Sequence, residues 1–276
     1  MSVQEYKDIQ YGPYERNTLD AYIVGNKPSP VLIYFHGGGY RSGDKSLFLS
    51  IDLMQECLDA EISIITCNYR FITNDPFPAP MKDGVRAIQF VRFMAKTWGI
   101  NPHRIALAGS SAGGHLALWN ALKGEMAIPD SSDPIERIST KVSAFVGFNT
   151  QVSKDQRFYK DIYDGQHIQP NLPLYLNIPS IDDLYRPENL KLAAQASAIN
   201  YMSPDSPPAF MDYDIELDDE DLCIPAEAPV HDVIHHPMHG YQLKKRYEDF
   251  HIPLELRTKN NPVQPGEIIE FLFNHL

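Results

Sequence analysis

The chain has 276 residues, 43% hydrophobic and 22% charged, the composition of a globular protein with enough length for one large domain. Its formal charge of −12 excludes a general nucleic-acid binder, which needs a basic face, and disfavours attraction to an anionic membrane. The opening MSVQEYKDIQYG lacks the basic start and apolar run of a signal peptide, and no run approaches the ~20 apolar residues of a membrane span. Cys57, Cys67 and Cys223 are scattered, with neither zinc-ligand nor CxxC spacing, which predicts reduced thiols, a cytoplasmic location and no metal site.

In chain order, residues 5–23 read as an antiparallel pair at a sheet edge. Short β-branched runs follow: VLIYF (31–35), ISIITCN (62–68), RIALAG (104–109), VSAFVGF (142–148), AFMDYD (209–214) and PLELRT (253–258). Continuous apolar runs of this length fit strands buried on both faces. Between them lie helical patterns, the clearest from Met81 to Trp98, with Met81, Val85, Ile88, Val91, Ala95 and Trp98 spaced by three or four. Strand alternating with helix predicts an α/β fold over residues 1–276, a single domain with a mostly parallel sheet and helices on both faces. Residues 149–186 break the rhythm: they are long, polar and aromatic, and read as a lid insertion over a site. The carboxylate-rich DYDIELDDED (212–221) reads as a solvated loop, with calcium binding the lesser alternative.

Two motifs carry chemistry. GSSAG (109–113) fits G-x-S-x-G, with Ser111 on a turn between a predicted strand and a predicted helix. Such a turn projects the hydroxyl above the sheet edge, beside the positive end of the helix; the plain alternative is a glycine-rich strand-to-helix turn. HGGGY (36–40) ends the VLIYF run, where successive glycines let backbone N–H groups converge on a developing oxyanion. A flexible turn or a phosphate cradle would also use glycines, but no Lys-Ser/Thr follows and no GxGxxG is present. Both motifs fall at carboxyl ends of strands, where open α/β sheets place their sites.

With NYRF (68–71), FPAPMKD (77–83) and RIALAGSSAGGHLAL (104–118), these motifs make the chain resemble the α/β-hydrolase esterases and lipases. The nearest branch is that of the hormone-sensitive-lipase-like and acetylxylan/feruloyl-esterase-like enzymes, with looser similarity at NYMSPDSPPAF (200–210). The resemblance implies Ser111 as nucleophile, the amides of Gly38, Gly39 and Ala112 as oxyanion hole, and structural roles for His36 and His115. In that family the general-base histidine follows the last strand, but here PLELRT runs into KNNPVQPG, with Asn260 and Asn261 in its place.

Either the alignment is shifted, for which the closing helix from about Pro265 to Leu276 leaves no room, or the base comes from elsewhere, or the enzyme is impaired. His103 and His251 precede their strands and belong at the opposite edge of the sheet. His231, His235 and His236 in VHDVIHHP, and His167 in the lid, are the remaining candidates, and we take His236. The plain reading of His235 and His236 is hydrogen bonding at a helix start, with Pro237 in the first helical position. His239 reads as a surface residue. The acid could be Asp214, Asp218, Asp219, Asp221 or Asp232, and spacing to the following helix favours Asp232. The expected function is a cofactor-free serine carboxylesterase for a short-chain or acetyl ester, with an acetylated sugar as one possible substrate. The alternative is an impaired homologue that binds a ligand without efficient turnover.

Overall fold

The computed structural model describes residues 2–25, 27–50, 52–163, 169, 171–217 and 223–276. Among these, each predicted run forms a strand: β1 (Val3–Gln10), β2 (Thr18–Val24), β3 (Ser29–Phe35), β4 (Ser63–Cys67), β5 (Ile100–Ser110), β6 (Ala144–Phe148), β7 (Ala209–Asp212) and β8 (Leu254–Arg257). They join one sheet in the order β1-β2-β4-β3-β5-β6-β7-β8. β1 and β2 are the antiparallel edge predicted for residues 5–23, β2 also runs antiparallel to β4, and every other pairing is parallel.

The helices are α1 (Asp52–Asp59), α2 (Ala79–Phe93), α3 (Ala95–Trp98), α4 (Ala112–Leu122), α5 (Gln156–Lys160), α6 (Leu172–Leu176), α7 (Pro187–Ala196), α8 (Val230–His235), α9 (Met238–Asp249) and α10 (Glu267–His275). Successive strand residues point to opposite faces, so each strand feeds two cores. On β3, Leu32 and Tyr34 pack with Leu53, Cys57 and Leu58 of α1 and Ile268, Phe271 and Leu272 of α10. Val31, Ile33 and Phe35 pack on the other face with Ile88 and Val91 of α2, Leu116 of α4, and Leu243 and Tyr247 of α9. The periodic stripe from Met81 to Trp98 is two helices rather than one. Met94 (φ −77, ψ −3) serves as C-cap of α2 and N-cap of α3, and Gly99 in the left-handed region ends α3.

Because β3 to β8 run parallel, their carboxyl ends meet at one edge, which carries HGGGY after β3, the serine turn after β5 and the long excursion after β7. Residues 149–186 contribute α5 and α6 over this edge. Tyr159, Ile162 and Tyr163 pack there with Leu217, Ile224, Val233 and Met238, and Ile224 N–H donates to Ile162 O at 2.8 Å. The turn after β8 has a different task from the one its position implies in the resembled family. Asn260 Nδ2 donates to Leu217 O (2.8 Å) and its Oδ1 accepts from Leu217 N–H (3.3 Å), which pins the excursion after β7 to the end of β8.

Among the described residues no helix is long and apolar enough to cross a membrane, and Cys57 and Cys67 are buried free thiols. Phe271 is 2% exposed and packs against Phe210 with ring centroids 5.6 Å apart. Phe271→Ala should therefore lose about 3–5 kcal/mol of stability, measured as a lower midpoint with unchanged slope in urea unfolding.

Candidate active site

Ser111 sits at φ 51, ψ −114, a conformation that L residues adopt only when their surroundings impose it. The imposition is steric. A Cβ on Gly113 would stand 2.1 Å from Phe35 O and 2.3 Å from His36 O, and one on Gly109 would stand 2.5 Å from the Gly113 carbonyl carbon. Only glycines allow the start of α4 to lie directly on the end of β3. Ser111 N–H donates to Phe148 O (2.8 Å), and Ser111 O accepts from His115 N–H (2.9 Å), so the strained residue is fixed on both sides.

That contact brings the HGGGY loop beside the serine. Gly38 (φ 112) and Gly39 (φ 61) turn the loop back, and Gly38 O accepts from the N–H groups of Arg41 (3.0 Å) and Ser42 (3.1 Å). The N–H groups of Gly38, Gly39 and Ala112 donate to no acceptor among the described residues. All three residues line one cavity of about 380 Å³ with Ser111, His235, Ile72 and Ile234. The 149–186 segment adds Gln151, Lys154, Gln169, Asn171 and Tyr175 to its wall.

His235 reaches the serine, with its Nε2 2.8 Å from Ser111 Oγ. α8 positions it: Val233 is buried in the cluster beneath the excursion, which turns the neighbouring Ile234 and His235 into the cavity. Burial first, then the neighbouring His231 and Lys154, push the His235 pKa down to about 4, so the ring is neutral and able to accept a proton at neutral pH. Asp214 and Asp232 oppose that shift through their charge.

The preferred residue of the sequence reading, His236, lies elsewhere. The chain leaves α8 at this position in an extended conformation (φ −68, ψ 139), and His236 Nδ1 accepts from Met238 N–H (3.2 Å), capping the start of α9. Asp232 is likewise away from the serine, with its Oδ1 3.3 Å from His231 Nδ1 on an exposed face. Asp214 is held by a reciprocal pair: its Oδ2 accepts from Asn149 Nδ2 (2.7 Å), and its N–H donates to Asn149 Oδ1 (3.0 Å). His167, Asp218, Asp219 and Asp221 lie outside the described residues.

Three further histidines are packing residues. His36 stacks on Tyr69 at 4.5 Å, and its Nδ1–H donates to Gly37 O. His115 bonds the Tyr40 hydroxyl (2.7 Å) instead of facing Ser111. His239, expected at the surface, is fully buried: it stacks on Phe158 and its Nε2–H donates to Val233 O (3.3 Å). The helix pattern misplaced it because the 149–186 segment covers that face of α9. The sequence reading also passed over Lys154. Its signal was QVSKDQ (151–156), a polar run placed directly after a strand end at the site edge.

The parallel sheet, the serine turn at its carboxyl edge and the helices on both faces define an α/β-hydrolase. Solved structures agree on that fold. The acetyl ester-xyloside bifunctional hydrolase from Caldicellulosiruptor lactoaceticus is similar at TM-score 0.66 and 23% identity, over 92% of this chain and 81% of its own. A truncated carbohydrate esterase from gut microbiota is similar at TM-score 0.73 and 16% identity, over 98% and 95%. A model of the BD-FAE family matches residues 19–227, and the chain belongs to that family. Among curated relatives, a probable carboxylic ester hydrolase of Mycobacterium tuberculosis, LipM, is 29% identical over 216 residues, which is 74% of this chain and 46% of the relative. The chain spans less than half the length of the first curated relatives it matches.

The histidines make the fold acid-sensitive in a defined window. Burial lowers the pKa of His36, His235 and His236 to about 4, that of His239 to about 3, and that of His115 in the same direction. An unfolded histidine titrates near 6.5, so between these values the unfolded chain binds more protons and stability falls as pH falls. Asp212, raised to about 6 by burial and then by Asp214, opposes this in part. The melting temperature should drop by more than about 5 °C between pH ~6.5 and ~4, measured by calorimetry.

Proposed function

We propose that this protein is a serine carboxylesterase acting on short-chain or acetyl esters, acetylated sugars among them. The observation that carries this reading is the 2.8 Å contact between Ser111 Oγ and the neutral His235 Nε2, beside three free backbone donors. The names of relatives such as LipM, a probable carboxylic ester hydrolase, support it.

In this reading the Ser111 hydroxyl donates to His235 Nε2, which takes the proton as Oγ attacks the ester carbonyl. The tetrahedral oxyanion accepts from the N–H groups of Gly38, Gly39 and Ala112, each worth on the order of 3 kcal/mol of barrier. His235, now imidazolium, protonates the leaving alkoxide, and the acyl-enzyme remains. Water then attacks with His235 as base again, which releases the acid and restores the serine. Asp214 takes the part first given to Asp232: of the two its charge acts more strongly on His235 and stabilises the imidazolium. One observation favours the impaired homologue instead: neither carboxylate is hydrogen-bonded to His235 Nδ1. In that case hydrolysis would not depend on Ser111.

Hydrolysis of 4-nitrophenyl acetate separates these readings. Ser111→Ala and His235→Ala should each lower kcat by about 10⁴–10⁶-fold, while His236→Ala stays within about threefold of wild type. Equal rates in wild type and Ser111→Ala would refute the esterase reading. The base is active when neutral, so kcat/KM should fall as pH drops through about 4, the lowered His235 value, and not near 6.5, the ordinary histidine value.

A further inference from the structure

Among the described residues that line the cavity, Lys154 is the one Lys, Arg, Asp or Glu, and the reaction above does not use it. It lies in the stretch Gln151–Gln156, every residue of which is buried, directly after β6 at the edge that holds Ser111. Its backbone is fixed by Ser197, whose Oγ accepts from Lys154 N–H (2.9 Å). The side chain is 4% exposed and lines the same cavity as Ser111 and His235.

The surroundings of its ammonium suit an anion. Nζ donates to Gln151 Oε1 and to Gln169 Oε1 (3.4 Å), which uses two of its three N–H bonds. It lies 5.3 Å from the Tyr175 ring centroid and 5.7 Å from that of Tyr40. Among the described residues no carboxylate pairs with it. The adjacent Asp155 is committed to Arg157 and caps α5 through Arg157 N–H. The ionisable neighbours that feel its charge are His115, His235 and His239, none of which can balance it. Burial without a counter-ion pushes the Lys154 pKa down to about 7. A neutral hydroxyl arriving here would fill the third N–H and leave the charge unbalanced, whereas a carboxylate would answer both needs. The chain's net charge of −12 offers no long-range attraction to anions, so such recognition must be local.

We propose that Lys154, with Gln151 and Gln169 holding its ammonium, is a specificity residue that receives a carboxylate carried by the substrate. The substrate is then an ester with a free acid group, either a half-ester of a dicarboxylic acid or an ester of a hydroxy acid. This rests on the esterase reading of Ser111 and narrows its substrate class.

Two pairs of near-isosteric esters test it at about pH 6, where a lysine of lowered pKa is still mostly charged. The 4-nitrophenyl monoester of glutaric acid against 4-nitrophenyl valerate probes the acyl side. The butyrate ester of 4-hydroxybenzoic acid against that of 4-cresol probes the alcohol side. Wild type should favour the carboxylated member of one pair by about tenfold or more in kcat/KM, chiefly through KM, and Lys154→Met should abolish that ratio. Which pair responds tells which side carries the acid. No preference in either pair in wild type, or a preference that survives in Lys154→Met, overturns the proposal; the wild-type comparison holds even if the variant fails to fold. If no ester turns over at all, the esterase reading fails separately and binding decides. Glutarate or 4-hydroxybenzoate should then raise the melting temperature of wild type but not of Lys154→Met, and no rise in wild type would refute the anion site.

Discussion

The site depends on a contact between backbones: the first turn of α4 resting on the last residues of β3. Gly113 meets Phe35 O and His36 O at a distance that no Cβ would permit, and Gly109 meets Gly113 in the same way. This approach puts Ser111 in its strained conformation and sets Ala112 N–H beside the Gly38–Gly39 loop. The serine and the three amides are therefore one rigid unit, built from the ends of two adjacent strands. Strain of this kind persists only where the surroundings overdetermine it, and the two bonds from Ser111 to Phe148 O and His115 N–H do so here.

The histidine is delivered by a different device. A base after β8 would rest on a short turn between a strand and a helix, whereas His235 stands on a six-residue helix at the end of a long excursion after β7. A helix that short has little stability of its own. It is held by burial of Val233 in the cluster shared with Tyr159, Ile162 and Tyr163, and by Asn260, which ties Leu217 to the turn after β8. The turn without a histidine thus anchors the segment that supplies one. The same 149–186 segment that buttresses α8 also carries Lys154, so the wall of the cavity and the support of His235 are coupled through one piece of chain.

Charge in the cavity follows from burial more than from pairing. His235 and Lys154 both lose proton affinity because desolvation penalises their charged forms, and the charge of Lys154 lowers that of His235 further. The consequence is a neutral imidazole next to Ser111 at neutral pH, as proton acceptance requires, and an ammonium close to its titration point. Asp214, fixed by Asn149, supplies the opposing negative charge from the end of β7.

The sequence by itself determined the strands, the parallel sheet and the serine turn, because these are written in short-range patterns: apolar runs, strand-turn-helix order, and glycines at fixed spacing. It also showed that the turn after β8 lacks a histidine. It favoured His236, whereas the residue within reach of Ser111 is His235. Those residues are neighbours in sequence and differ only in that one ends α8 and the other begins an extended linker, a boundary set by the burial of Val233 against the 149–186 segment. Asp232 was preferred on spacing, yet spacing along the chain does not say which way an exposed first turn faces, and it faces His231. His239 and Lys154 were hidden for the same reason. Their burial comes from a segment distant in sequence folding over them, and only the tertiary structure decides what a polar side chain is enclosed by.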